Sequence, residues 1–451
     1  MALSAEVELI LDAIALEIVT ALADDAVAAE HIPILSTFLA ESEAKLILLM
    51  SDDQPPDSDP GNVEFGMVLY WVDNLSFLEG LRKYLPSSNI TPAMLVNWKT
   101  KEKGAGVVAS DGTLISDTMY AQLDPGWIEA GVLYIALKLG IIKKQPFGVR
   151  KDPVTTFTDE DLTDDTLTVA VIGDWGTGPW PDGANNVGPA ISIIEQVAEK
   201  KPDLTIHLGD VYYAGTDIQE KYLFLEFWKR GGKGSFALNS NHEMYPGGSG
   251  YFEKTMGSSM FAQQTPASYF AIDLPEWVII GLDSAYDIEL FENTLMPFFL
   301  DGRIPETDTV QTEFVAGLDL LDDTLARKKV MVMTHHTGIT THGGAPMTLL
   351  GDIQRMLHNN PAYAGLDEKD CNPDYWYWGH IHNGIVYADA AKGLGQTGIK
   401  ARCCGHGAIP FGNGYGLNGN PNVDWYATTK YSDMKNPPGP ATPQQANRVL
   451  N

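Results

Sequence analysis

Five polar clusters along this chain hold the residues that could do chemistry together. They are Gly173-Asp174-Trp175-Gly176, Gly209-Asp210-Val211-Tyr212-Tyr213, Ser240-Asn241-His242-Glu243, Val332-Met333-Thr334-His335-His336 and Gly379-His380-Ile381-His382. Singly, each is weak, because Gly-Asp is common turn chemistry and a lone histidine is more often a packed structural group. Pooled, they supply two aspartates, an asparagine amide, a tyrosine phenol and at least three imidazoles. These are oxygen and nitrogen donors without thiolate, which suits iron, manganese or zinc better than copper(I) or an iron–sulfur cluster. The donors suffice for two ions if one carboxylate bridges them. Two ions held side by side can clamp a phosphoryl group and activate a shared hydroxide.

Such chemistry requires the clusters to converge, and each falls where a β-type run ends. The runs are LTVAVIGD (167–174), LTIHLGD (204–210), SFALNSN (235–241), then SYFAID, WVIIGLD, KVMVMTHH and DYWYWGHIH. Helices are expected over Val187–Lys200 and around 217–230. Alternation of this kind predicts an α/β fold, a layered β-sheet sandwich flanked by helices. In such sheets the carboxyl ends of the strands open on one crevice. Before this region Val7, Ile10, Leu11, Ile14, Ile18 and Val19 recur at helical spacing. The expected organisation is a mainly α-helical region over 1–150, a polar, acidic linker over 151–165, a catalytic domain over 166–435 and an extended tail over 436–451.

Composition narrows the function. Thirty Lys and Arg against 59 Asp and Glu give a formal charge of −29, which repels nucleic-acid backbones and argues against general nucleic-acid binding. The same field repels a phosphate ester, so local cations must overcome it. The three cysteines, Cys371, Cys403 and Cys404, form no CxxC spacing and no disulfide framework. The first residues lack a basic stretch before the apolar run, and no uncharged apolar run is long enough for a membrane span. The expectation is a cytoplasmic protein.

The five clusters, in this order, resemble the metallophosphoesterase (calcineurin-like phosphoesterase) superfamily, and within it the purple acid phosphatase branch. That branch carries GDxG, GDxxY, GNH followed by an acid, VxxH and GHxH; this chain has GDWG, GDVYY, SNHE, VMTH and GHIH. The resemblance spans roughly 165–412. It implies that Asp174, Tyr213 and His382 bind the first metal, and that Asn241, His335 and His380 bind the second. Asp210 would bridge the two. It implies His242 as the group contacting phosphate or assisting the leaving group. By adjacency alone, Glu243 is expected to orient His242, and His336 to face phosphate or support the site. Most of the superfamily has Asp-x-His in the first cluster, whereas Gly176 stands there in this chain. Loss of that imidazole together with a tyrosine at 213 is similar to the purple branch, where a phenolate favours iron(III) at the first site. The second ion would be iron(II), zinc or manganese. Ser240 departs from the usual glycine.

The implied reaction is hydrolysis of a small-molecule phosphate monoester by attack of a metal-bound hydroxide. The alternatives are a phosphodiesterase of the same superfamily and a metal-binding scaffold whose N-terminal part recruits partners. Among other residues, His406 and His342 are lesser candidates, His207 and His358 read as structural, and Asp283 reads as an acid that orients a histidine.

Overall fold

A computed structural model of the chain describes residues 142–164, 166–179, 189–287, 302–408 and 417–427, with 107–108, 114–115, 130, 133–134 and 137. The expected helical region thus lies mostly outside the described residues, and the expected tail wholly so. Within the former, β1 (Val107–Val108) pairs antiparallel with β2 (Leu114–Ile115).

The remaining elements follow in chain order. They are β3 (Val154–Thr156), β4 (Val169–Ile172), α1 (Pro189–Lys200), β5 (Leu204–His207), β6 (Gly234–Ala237), β7 (Phe270–Asp273) and β8 (Trp277–Leu282). After them come α2 (Thr309–Gly317), β9 (Lys329–Thr334), α3 (Thr348–His358), β10 (Tyr375–Trp378), β11 (Gly384–Tyr387), β12 (Lys400–Cys404) and β13 (Val423–Tyr426). One sheet has the order β4-β5-β6, all parallel. The other has the order β13-β11-β12-β10-β9-β8-β7-β3. The stretch read as a linker therefore supplies an edge strand: the β-branched Val154, Thr155 and Thr156 pair parallel with β7.

Alternating side chains explain the layering. Leu204 and Ile206 of β5 and Phe236 of β6 pack against Phe270 and Ile272 of β7, Ile279 of β8 and Met333 of β9, which joins the two sheets face to face. On the far side of the large sheet, Val278, Ile280, Val330, Val332, Trp376 and Trp378 pack with α2 and α3 through Val315, Leu349, Ile353 and Met356. The α3 residues recur at three- and four-residue steps, as an amphipathic helix requires. On the far side of the small sheet, Ile172 and Ala237 pack with Ala190, Ile193 and Ile194 of α1. The result is a mixed α/β sandwich, helix–sheet–sheet–helix, as the sequence pattern predicts.

Strand direction then places the chemistry. β4, β5 and β6 run parallel to one another, and so do β8, β9, β10 and β12. The two sheets meet at their carboxyl ends, where the Gly173 N–H donates to the Cys404 carbonyl (2.9 Å) and the Gly407 N–H to the Gly173 carbonyl (3.0 Å). All five polar clusters start at that common edge.

Candidate metal centre

The donors leave the strands through unusual backbone. Asp174 (φ 56°), Asp210 (φ 74°), His380 (φ 70°) and His382 (φ 50°) are left-handed although none is glycine. Such conformations cost energy and concentrate where surrounding structure enforces them, as at functional sites. Gly176 makes a different contribution. A Cβ there would lie 2.7 Å from Val211 Cα, so this position cannot carry the histidine that most of the superfamily has.

The predicted donors converge on Asp210. Its Oδ1 lies 3.2 Å from His335 Nε2. Its Oδ2 lies 3.4 Å from His382 Nε2 and 3.8 Å from His242 Nε2. The two oxygens of one carboxylate thus face two different groups of nitrogens. On the His335 side, Asn241 Oδ1 stands 2.9 Å from His335 Nε2 and 3.2 Å from His380 Nδ1, and those two nitrogens are 3.2 Å apart. Donors about 2.0–2.2 Å from one ion stand roughly 3–3.5 Å from each other, so this spacing suits a shared cation. The amide is oriented for it, because Asn241 Nδ2 donates to the Tyr245 hydroxyl (2.9 Å). On the other side, His382 Nε2 is 3.9 Å from Asp174 Oδ1, which also accepts the His380 backbone N–H (2.9 Å). Solvent reaches the cluster over His380, which is half-buried.

Ring orientation is set behind the donors. His335 Nδ1 faces the Leu208 carbonyl at 2.8 Å, and His242 Nδ1 faces the Tyr213 carbonyl at 2.6 Å. A carbonyl can only accept, so each Nδ1 carries the proton and each Nε2 presents a lone pair. That is the arrangement metal-binding histidines adopt.

The electrostatics favour cations. Asp174 Oδ2 is buried with no donor facing it among the described residues. Burial, then the neighbouring Asp210 carboxylate, push the Asp174 carboxyl well above its usual range. Burial opposes ionisation of Asp210 too, yet His242 and His335 hold its carboxyl well below the usual range. Burial likewise keeps the imidazoles of His335, His336 and His380 neutral, and it lowers His242 to about 4. These buried imidazoles thus offer no positive charge to an anionic ester, while the Asp210 carboxylate stays ionised beside Asp174. A cation between them resolves both conditions. The orphaned Asp174 oxygen and the donor chemistry both fit bound metal.

Three other placements differ from the sequence expectations. A phenol that the sequence pattern did not single out, that of Tyr212, donates its hydroxyl to Asp210 Oδ2 (3.3 Å), and the Tyr213 carbonyl accepts from His242 Nδ1. Glu243 does not orient the His242 ring, a task the Tyr213 carbonyl performs. Its carboxyl accepts the Val211 N–H (3.0 Å) and contacts the Ser240 hydroxyl, bracing the loop that carries Asp210. Asp283 accepts from Asn239 Nδ2 and from the N–H groups of Ala285 and Tyr286, and it is the adjacent Ser284 that contacts a histidine, His336. Its place two residues past Leu282, the last residue of β8, was the available signal for Ser284.

The Ser240 departure causes no strain. Its φ of −136° is extended backbone that any residue adopts. Its hydroxyl accepts the His242 N–H (3.0 Å) and contacts Asp210 and Glu243. His207 is structural, as expected: buried among Trp175, Phe224 and Trp228, with Nε2 on the Trp175 carbonyl (2.6 Å). His406 lines a cavity of about 280 Å³ against α1 with Lys200 and Cys404. The His342 carbonyl accepts from Asn422 Nδ2 (3.2 Å). All three cysteines are free. No helix among the described residues is long and apolar enough to cross a membrane.

The family model for calcineurin-like phosphoesterases matches residues 167–384. That segment, which holds every donor named above, is a calcineurin-like phosphoesterase domain. Solved structures with a similar fold include a purple acid phosphatase, PPD1, from yellow lupin (Lupinus luteus) seeds. It is 13% identical, with a TM-score of 0.36, over 58% of this chain and 47% of that one. The chain therefore spans about half the length of the lupin protein. Another is GAP50, described as the anchor in the inner membrane complex of Plasmodium, also 13% identical, with a TM-score of 0.39, over 62% of this chain and 89% of that one. No curated protein sequence matches the chain significantly.

Proposed function

We propose that this protein is a dinuclear-metal phosphoesterase of the purple acid phosphatase type, hydrolysing phosphate monoesters. The observation that carries the reading is the division of Asp210, with Oδ1 towards His335 and Oδ2 towards His382. Asp174, Asp210, His382 and a tyrosine would hold the first ion, as iron(III). Asp210, Asn241, His335 and His380 would hold the second, as iron(II), zinc or manganese. Two such ions supply Lewis acidity towards the phosphoryl oxygens and towards water. His242 Nδ1 is fixed by the Tyr213 carbonyl, which leaves Nε2 to take up a proton from solvent and pass it to the departing oxygen. Ser240 and Glu243 keep the Asp210 loop in register with that atom. The preference for monoesters rests on the purple-type pattern of Gly176 and a neighbouring phenol.

The test compares p-nitrophenyl phosphate with bis(p-nitrophenyl) phosphate on full-length protein loaded with iron, zinc or manganese. The monoester is expected to turn over faster, and Asn241→Ala and His380→Ala are each expected to lower turnover by about 100-fold or more. Unchanged turnover in metal-replete variants would remove the assignment. A preference for the diester would make the protein a phosphodiesterase with the same centre.

The tyrosines have a spectroscopic test. Burial, then the nearby carboxylates, raise the Tyr212 phenol well above its usual value, so deprotonation there needs a cation. Iron-loaded protein is expected to show a visible tyrosinate–iron(III) band. On the sequence pattern, Tyr213→Phe abolishes it. A band that survives Tyr213→Phe and disappears in Tyr212→Phe would assign the phenolate to the residue whose hydroxyl meets Asp210.

A further inference from the structure

We propose that His336 is a third imidazole ligand of the second metal, completing a set with His335, His380 and Asn241. The inference rests on the dinuclear reading above and extends it, since the family pattern places only two imidazoles, His335 and His380, at that ion.

Three observations support it. A ring nitrogen of His336 lies within 4.8 Å of one on each of His335 and His380, and the ring centroids are 4.8 and 4.6 Å apart respectively. His336 Nε2 is buried without a hydrogen-bond partner among the described residues. The other nitrogen, Nδ1, is 2.9 Å from the Ser284 hydroxyl, which also accepts the His336 backbone N–H (3.1 Å). Both atoms of Ser284's contact come from one residue, so ring and backbone are fixed together. With the ring proton on Nδ1, donated to Ser284, Nε2 presents a lone pair. The other tautomer strands an N–H in a buried space with no acceptor among the described residues, which is costly.

Depth separates a ligand from a phosphate contact. His336 is wholly buried, whereas His380 is half-buried. An ester arriving from solvent meets the ions and His380 before it can reach His336. A metal ion is thus the group best placed to use this lone pair.

The test is metal binding by the full-length apoprotein, titrated with Mn²⁺ and with Zn²⁺ and read as stoichiometry and affinity. Wild type is expected to take up two ions. His336→Ala is expected to weaken the second ion by tenfold or more while the first keeps its affinity. Ser284→Ala is expected to weaken it less, by freeing the ring. His336→Gln, which retains volume and a polar end, serves if the alanine variant does not fold. Two ions bound with wild-type affinity in the His336 variants, with only the substrate KM raised, would make His336 a phosphate contact and overturn the proposal. A wild-type protein that binds fewer than two ions would overturn the dinuclear reading itself.

Discussion

Asp210→Asn protein is expected to lose both metal ions together, and with them about 10³-fold or more of its phosphoesterase activity. The reason is geometric. One oxygen of Asp210 stands at His335 and the other at His382, so a single substitution removes a donor from each side. Outer partners of a metal site alone are worth 10–100-fold in affinity, so a bridging ligand should exceed about 100-fold for each ion. The activity loss follows the scale seen when one preorganised transition-state contact is removed, compounded over two ions. Asparagine preserves size and can still meet the Ser240 and Tyr212 hydroxyls, so the fold should hold. It also separates loss of metal from loss of structure. The fold favours ionised Asp210, so the metal-free variant should melt somewhat lower than metal-free wild type while still unfolding in one cooperative transition. Metal content and thermal transitions of the two apoproteins check both parts. Two ions retained at wild-type affinity would mean that Asp210 does not bridge. By contrast, His335→Ala touches one side only and should release only the second ion.

Much of this site can be read from the chain because strands announce themselves. The Val- and Ile-rich runs before Asp174, Asp210 and His335 sit in register in parallel sheets, and donors placed at their ends share one edge. The fold class follows from the same alternation. What cannot be read is direction. Asp174, Asp210, His380 and His382 take left-handed backbone without glycine, and no residue type signals that. Those turns bring the Tyr212 hydroxyl onto Asp210. They also put the Val211 N–H, rather than the His242 ring, on Glu243. Tertiary packing made the choice in both cases. The polar stretch 151–165 hid β3 for a related reason: three β-branched residues pair on the edge of a large sheet, where flanking acids remain solvated.

The second large effect is expected at a residue that offers no donor at all. Gly405 follows β12 directly, beside the point where Cys404 accepts the Gly173 N–H. A Cβ at this position would lie 2.1 Å from Asp174 Oδ2 and 3.2 Å from Gly379 C. The first is the oxygen buried without a donor, and backbone closes the other side, so neither neighbour can yield cheaply. Gly405→Ala should therefore push the Asp174 carboxylate off its position and cost about 1–3 kcal/mol through overpacking. The expected signature is loss of the first ion, with its visible band, while the second ion stays on Asn241, His335 and His380. Gly351→Ala is the matched control: it lies within α3, a Cβ there meets nothing within 4 Å, and helix propensity favours alanine by up to about 1 kcal/mol. Metal stoichiometry and urea unfolding of the two variants decide the matter. If Gly405→Ala binds both ions normally, Asp174 Oδ2 does not face the metal, and the first site must be rebuilt around Asp210, His382 and the phenol. Loss of the first ion alone would show that close packing across the sheet junction, as much as the donors themselves, defines this centre.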